Sequence, residues 1–179
     1  MNQLPYSLLA ELEDVAGKGN PPVHMWHPDV EKDPDLTIQR NGTWLYMGTP
    51  IKRPRLVRLF ASVLRREGDD YFLVTPVEKC RIQVEDVPFQ VVLMDVEGAG
   101  ETQRLRCTTD MAESFVIGQA NPLRMSVSGE EWIPYALVRD GMEARLNRNV
   151  YYQLTELMTE NATGEQGVWS DGVFFTLLR

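Results

Sequence analysis

Seven basic side chains and no acidic one lie between residues 40 and 66 of a chain of 179 residues whose net charge is −8. They are Arg40, Lys52, Arg53, Arg55, Arg58, Arg65 and Arg66. A local positive region on an acidic protein indicates that something anionic is bound there. The chemistry that these side chains offer is charge-assisted hydrogen bonding to phosphate or carboxylate.

The strongest candidate site within this basic window is the segment 48–53, which precedes a predicted helix. Pro54 suits the first helical position, where its missing N–H is no loss. Lys52 and Arg53 lie at the positive end of the helix dipole, which is unfavourable for cations unless an anion binds to them and to free backbone N–H groups. Thr49 adds a hydroxyl donor. The alternative is that these cations pair with carboxylates of the acidic remainder of the chain.

A second cluster, Arg139, Glu143, Arg145 and Arg148, lies around and after a predicted Asp-Gly turn in the later part of the chain. Glu143 and Arg145 alternate with apolar residues, so they share the polar face of a predicted strand. Either they form a cross-strand lattice of ion pairs, or they face the first cluster across a cleft between two halves of the protein. Glu78 and Lys79, at a predicted turn, are weaker candidates for the same cleft, and turn chemistry alone explains the neighbouring Thr75-Pro76.

No motif in the sequence indicates catalysis, a metal ion or a cofactor. The chain contains no nucleophile elbow, zinc-protease signature, P-loop or dinucleotide-binding fingerprint. His24 and His27 are three residues apart, but the flanking prolines oppose the helix that would bring them together. Cys80 and Cys107 show no metal or disulfide spacing. The sequence therefore favours a non-catalytic module, with an uncharacterised enzyme as a distant alternative.

Composition and hydropathy predict a cytoplasmic protein. The hydrophobic fraction of 43% and the charged fraction of 25% are ordinary for a globular protein with a core. The N-terminus lacks the features of a secretory leader, and no stretch approaches the roughly 20 apolar residues of a membrane span. The negative net charge disfavours binding to bulk nucleic acid or to an anionic membrane.

Two parts of the sequence repeat the same order of predicted elements. Each contains a strand, an Arg-Asn-Gly or Arg-Asp-Gly turn, a return strand, a helix, a turn and another strand, which indicates duplication. The first copy extends over 36–74, with a helix from about 54 to 66, and the second over 134–177. The turns at 41–42 and 140–141 are predicted to have two central residues of positive φ.

The residues outside the repeat complete the predicted architecture. A helix with Ser7 as its N-cap begins the chain, an extended segment follows over 23–28, and 29–35 is a charged loop. Closely spaced strands from Arg81 to Ser128 are typical of antiparallel meanders. The sequence thus predicts an α+β fold of two tandem, related halves, each of mainly antiparallel sheet with a helix. The predicted boundaries are 1–20 for the N-terminal helix and linker, 21–86 for the first half and 87–179 for the second.

Several long blocks of the sequence resemble the bacterial domain-of-unknown-function family 1285. They are PPVHMWHP, IQRNGTWLYMGTPIKRPRLVRLFASVLRR, LVTPVEK, VEDVPF, PYALVRDGMEARLNRNVYYQL and GVWSDGVFF, which extend over about residues 21–177. The resemblance implies a duplicated α+β arrangement whose second half is similar to pleckstrin-homology domains. It also implies a ligand between the halves, for which a nucleotide-like molecule is suggested, and a role in signalling. It implies no catalytic activity.

Two functions from different classes follow from these observations. The first is a non-catalytic module that holds an anionic, nucleotide-like small molecule between the halves. Its predicted site residues are Thr49, Lys52, Arg53, Glu78, Lys79, Arg139, Glu143 and Arg145. The second is an interaction module in which the basic helix face of residues 55–66 contacts an acidic protein partner.

Overall fold

The computed structural model describes Ala10, Leu12 and residues 21–178. The chain divides into two compact units, Met1–Asp86 and Val87–Arg179. Ala10 and Leu12 have helical backbone, and Leu12 is fully buried. The rest of the predicted N-terminal helix lies outside the described residues. Within the described part of the chain, every helix is too short or too polar to span a bilayer.

Between residues 21 and 86, the first unit contains a seven-stranded sheet and an α-helix of nine residues. Its elements are β1 (Val30–Lys32), β2 (Leu36–Ile38), β3 (Trp44–Tyr46), β4 (Thr49–Pro50), α1 (Pro54–Ser62), β5 (Leu64–Glu67), β6 (Asp70–Val74) and β7 (Glu78–Val84). The strands have the order β4-β3-β2-β7-β6-β5, and β1 also pairs with β7.

Strand β7 is central to this unit because three other strands pair with it. β6 pairs with it in antiparallel fashion, whereas β1 and β2 pair in parallel, opposite Glu78–Cys80 and Gln83–Val84 respectively. Alternate residues in the first part of β7 are buried, as expected for a strand with one face toward the core. On the helix, Phe60 is fully buried and stacks on Trp44, with ring centroids 6.1 Å apart.

The prediction of a helix as far as Arg66 is wrong, because α1 ends at Ser62. The residues that follow form β5, which pairs with β6. Arg65 stabilises this course of the chain, since its Nη1 donates hydrogen bonds to the carbonyls of Val23 at 2.9 Å and Trp26 at 2.7 Å. Tertiary hydrogen bonds therefore override the helical spacing of the apolar residues.

The segment before β2 is more regular than the sequence predicts. Val23–Met25 form a 3-10 turn rather than extended chain, and Val30–Lys32 form a strand inside the predicted charged loop. All three residues of this strand are exposed, so it lacks the alternation of buried and exposed residues that marks a strand in sequence. Pairing with β7 defines it instead.

The second unit contains a six-stranded sheet, a three-stranded sheet and one helix. Its elements are β8 (Phe89–Glu97), β9 (Arg104–Thr109), β10 (Ser114–Val116), β11 (Leu123–Ser128), β12 (Glu131–Arg139), β13 (Met142–Leu146), α2 (Arg148–Glu156), β14 (Thr159–Glu160), β15 (Gln166–Ser170) and β16 (Val173–Leu178). The larger sheet has the order β10-β9-β8-β13-β12-β11, and the smaller has the order β14-β15-β16.

The two units share an order of elements, in agreement with the predicted duplication, but they pair their strands differently. In each, a hairpin is followed by the helix and then by antiparallel strands. In the first unit, the first strand of the hairpin, β2, pairs in parallel with β7. In the second unit, it is the second strand of the hairpin, β13, that pairs in parallel, with β8. The chain is thus an α+β protein of two halves. The likeness of the second half to pleckstrin-homology domains stays a prediction.

The two hairpin turns that are equivalent in sequence differ in structure. Asp140 and Gly141 both have positive φ, 49° and 74°, so the prediction of a two-residue turn is confirmed there. In the turn of the first unit, Gly42 has positive φ, 90°, but Asn41 does not, and three residues separate the hydrogen-bonded ends Gln39 and Thr43, so the same prediction is wrong there. Asn41 stabilises the longer turn because its Oδ1 accepts the N–H of Thr43 at 2.9 Å.

A buried serine joins the smaller sheet to the larger one within the second unit. The Oγ of Ser170 accepts the N–H of Leu105 at 2.9 Å and donates to the carbonyl of Ile117 at 2.6 Å. The Nε2 of Gln103 donates to the carbonyl of Trp169 at 3.0 Å. Because Ser170 is fully buried, these bonds satisfy backbone groups that water does not reach.

We expect Gly167→Ala to lower the free energy of unfolding by about 3 kcal/mol or more, the upper range for overpacking a core. A Cβ at Gly167 would lie 2.1 Å from the carbonyl oxygen of Phe175 and 2.9 Å from the ring of Phe174. The matched control is Gly172→Ala on the same hairpin, where a Cβ meets no atom within 4 Å. Gly172→Ala should lower the free energy of unfolding only by the cost of a positive φ for alanine, about 1 kcal/mol. Urea denaturation measures both, and an equal loss in the two variants would contradict the packing at Gly167.

Candidate anion-binding site

A short hairpin holds the basic segment that precedes α1. Strand β4, Thr49–Pro50, pairs with β3, so part of the predicted loop is a strand. The turn between these strands has positive φ at Met47 (49°) and Gly48 (77°), a conformation that glycine adopts freely and that is uncommon for methionine. The N–H of Ile51 donates to the carbonyl of Trp44 at 2.9 Å, which fixes the chain just before its two cations.

The first turn of α1 has few free backbone donors. Pro54 is the first helical residue, as predicted, and it has no N–H. The carbonyl of Arg53 accepts the N–H groups of Leu56 at 3.1 Å and Val57 at 3.2 Å. Pro54 thus offers no N–H to an anion and the N–H of Leu56 is already bonded, so recognition of an anion here would rest largely on side chains.

Four cations near the start of α1 are exposed and have no carboxylate partner among residues 21–178. They are Lys52, Arg53, Arg55 and Arg58. The first turn of the helix also contains no acidic residue. Other cations of the same unit do form ion pairs, namely Lys32, Arg65, Arg66, Lys79 and Arg81. The positive charge of this surface, the basic patch, is thus not neutralised by the described part of the chain.

Glu78 and Lys79 lie at the start of β7 rather than at a turn. Glu78 is 2% exposed, and its Oε2 pairs with the Nζ of Lys32 on β1. The Nζ of Lys79 lies 3.0 Å from Glu67 Oε2 and 4.3 Å from the centre of the Phe72 ring. Both residues are engaged within their own sheet, so these contacts lend no support to a role in binding the predicted anion.

Arg139 and Glu143 have separate partners in the second unit. Arg139 donates to both carboxylate oxygens of Glu113, at 2.9 and 3.1 Å. Glu143 accepts two hydrogen bonds from Arg124, at 2.6 and 3.0 Å. Arg145 is half-buried on the same strand as Glu143 and also takes part in contacts. These contacts match the cross-strand lattice of the alternative interpretation, and an anion would have to compete with carboxylates for Arg139.

Asp110 is a half-buried carboxyl group that the sequence did not single out. It follows β9, its Oδ1 accepts the N–H of Gln90 at 3.1 Å, and its own N–H donates to the Gln90 carbonyl at 2.9 Å. Burial raises the pKa of Asp110 to about 6, against the opposing effect of the Gln90 N–H. Aspartate is common in turns, so nothing in the sequence distinguishes this one.

The remaining candidate groups for chemistry are inert or isolated. Burial raises the pKa of the Cys107 thiol to about 12, which keeps it protonated and unreactive at neutral pH. His24 and His27 are exposed. Among the described residues, no three His, Cys, Asp or Glu side chains form a group that could hold a metal ion.

The described residues form two α+β halves, and within each half charged residues of the sheet pair with one another. The chain belongs to the DUF1285 family. Residues 21–87 match the family's N-terminal part, described as "Domain of unknown function (DUF1285), N-terminal domain". Residues 88–177 match "Protein of unknown function (DUF1285), C-terminal domain". The resemblance seen in the sequence is therefore confirmed.

Two solved structures of the family are similar to this chain. A crystal structure of a DUF1285 family protein from Silicibacter pomeroyi DSS-3 is 46% identical, with 96% of this chain and 94% of that chain covered and a TM-score of 0.89. A crystal structure of a family protein from Shewanella baltica OS155 is 32% identical, with 69% of this chain and 91% of that chain covered and a TM-score of 0.54. No curated protein matches the chain. The relatives thus establish the fold and the family, and their descriptions assign no activity.

We expect Asp110→Asn to stabilise the protein at neutral pH, with a gain that vanishes near pH 4. The folded-state pKa of about 6 exceeds the ordinary value of 3.8, so between these values the folded protein keeps a proton that the unfolded chain has lost. Stability therefore falls as the pH rises through this window. The expected gain at pH 7.5 is roughly 1 to 3 kcal/mol, because one pKa unit corresponds to about 1.4 kcal/mol. Urea denaturation at both pH values measures it, and a gain of the same size at pH 4 would contradict the buried-charge explanation.

Proposed function

We propose that the protein is a non-catalytic signalling module that binds an anionic small molecule at the N-terminal end of α1. The observation that carries this proposal is the basic patch, whose four cations have no carboxylate partner in the described part of the chain. Like charges held close together at the positive end of a helix are unfavourable by about 0.3 to 1 kcal/mol each. A bound anion reverses the sign of that contribution. The signalling role rests on the family resemblance.

Side chains, rather than backbone groups, supply the recognition in this proposal. The guanidinium of Arg53 suits bidentate hydrogen bonding to a phosphate, and the ammonium of Lys52 suits a single strong contact. Thr49 is exposed on β4 and adds a hydroxyl donor. These groups match the phosphates of a nucleotide, so the ligand class is phosphorylated small molecules, with nucleotides among them.

We expect Arg53→Ala to weaken binding of ATP, GTP and inorganic pyrophosphate at least tenfold, a change of about 1.4 kcal/mol. The melting temperature without ligand should stay the same or rise slightly, because one of several repelling charges is removed. Differential scanning fluorimetry over a range of ligand concentrations measures both quantities.

The matched control for this test is Arg148→Ala. Arg148 is likewise an exposed arginine at the start of a nine-residue helix, but the Asn147 side chain caps that helix by accepting the N–H of Val150. The control removes the same charge outside the basic patch and should leave the ligand response unchanged. If both variants keep the response, or both lose it, the proposed site is wrong.

An acidic protein partner is the second candidate function. Arg55 and Arg58 favour it, because they are exposed, three residues apart on α1 and without a carboxylate partner in the described chain. The surface is smaller than the predicted face of residues 55–66. Arg65 is excluded from it, since its side chain is only 14% exposed and lies on β5.

Charge reversal at Arg55 and Arg58 separates the two functions. The double change to glutamate is expected to abolish binding of a polyglutamate peptide, measured by fluorescence anisotropy, because it replaces attraction by repulsion. On the interaction-module account, the same variant keeps its thermal response to pyrophosphate. Loss of the pyrophosphate response with retention of peptide binding would contradict that account.

A further inference from the structure

Glu78 combines deep burial with an unsatisfied oxygen. Its side chain is 3% exposed, so the carboxylate is removed from water. Its Oε2 pairs with Lys32, whereas its Oε1 is buried without a hydrogen-bond partner in the described structure. A buried charge needs both pairing and hydrogen bonds to offset its desolvation. The carboxylate therefore has the capacity to accept at least one more hydrogen bond than Lys32 supplies.

The strand that supplies Lys32 is attached by its backbone pairing with β7 and by ion pairs of its side chains, and it buries none of its three residues. All three residues of β1 are exposed, and the Lys32 side chain itself is 47% exposed. Glu31, the middle residue, lies 3.9 Å from Lys79 and 3.8 Å from Arg81. Ion pairs that are accessible to water on at least one side contribute little to stability. β1 is thus held by its backbone and by few side-chain contacts.

The register of β1 on β7 defines what a better match would be. Val30 lies opposite Glu78 and Lys32 opposite Cys80, in parallel. Residues 30 and 32 therefore share the face of the buried carboxylate, and Glu31 shares the opposite face with the cations of β7. To match these charges, a segment in this register has an acidic residue opposite Lys79, as Glu31 is, and a cation opposite Cys80, as Lys32 is.

We propose that the edge of β7 beside Glu78 is a docking site for an extended segment of a partner protein with an acidic residue followed by arginine, and that β1 occupies this edge when the partner is absent. A guanidinium donates two parallel hydrogen bonds to a carboxylate, so arginine would satisfy both oxygens of Glu78 where Lys32 satisfies one. The partner backbone would add a strand to the edge, a known mode of peptide recognition. The acidic residue would take the place of Glu31 beside Lys79 and Arg81.

The test uses a fluorescein-labelled peptide with the sequence of residues 28–34 and arginine at position 32, Pro-Asp-Val-Glu-Arg-Asp-Pro. On the full chain carrying Lys32→Ala, we expect it to bind at least tenfold more tightly than to the unchanged chain, because β1 no longer competes through its lysine. The matched peptide with glutamine at position 32 should bind at least tenfold more weakly. Glu78→Gln should abolish the preference for arginine.

Hydrogen exchange and size-exclusion chromatography complete the test. If Lys32→Ala or Glu78→Gln fails to fold, hydrogen exchange of the unchanged chain at millimolar peptide decides, since displacement must speed exchange of the Val30–Lys32 amides. Equal binding of the arginine and glutamine peptides, or unchanged exchange of β1, would overturn the proposal. Dimerisation of Lys32→Ala without peptide, seen by size-exclusion chromatography, would also overturn it, because a second copy would then be the occupant.

Discussion

A charge that is removed from water must find an opposite charge or hydrogen-bonding groups, and this constraint organises both units of the protein. In the second unit, Arg139 is mostly buried and binds both oxygens of Glu113 while lying over the ring of Phe89 at 5.3 Å. In the first unit, Arg65 donates hydrogen bonds to the carbonyls of Val23 and Trp26 and to Glu67. These bonds link the 3-10 turn before β1 to β5. Arg139 and Arg65 thus stabilise the packing of the units in which they lie.

Two exceptions to this pairing among the described residues lie on the surfaces for which function is proposed. At the start of α1, cations are exposed without a carboxylate partner in the described chain, and we propose that they bind an anion. On β7, Glu78 is buried and its Oε1 has no hydrogen-bond partner in the described structure, so we propose that a further cationic donor binds there. The two surfaces differ in sign and in the kind of group they would bind, so they can be tested independently.

How far the sequence predicts the structure depends on whether a pattern is local. The proline at the start of α1 and the alternation along β13 are local signals, and the structure agrees with them. β1 depends on pairing with the distant strand β7, and β5 on pairing with β6 and on the hydrogen bonds of Arg65 to distant carbonyls, so their composition alone indicated a loop and a helix. Of the site, the sequence located the exposed cations Lys52 and Arg53. It could not show that Arg139 and Glu143 bind different partners, because that depends on which strands are neighbours.

The central claim is that the start of α1 binds a phosphorylated anion through its side chains. The most direct measurement is an NMR titration of the 15N-labelled chain with inorganic pyrophosphate, following backbone amide shifts at low and physiological salt. The account predicts saturable shifts that are largest within residues 49–58 and weaker binding at the higher salt, because the contacts are exposed and screened. Largest shifts in residues 139–148, or no saturable shift at millimolar pyrophosphate, would contradict it.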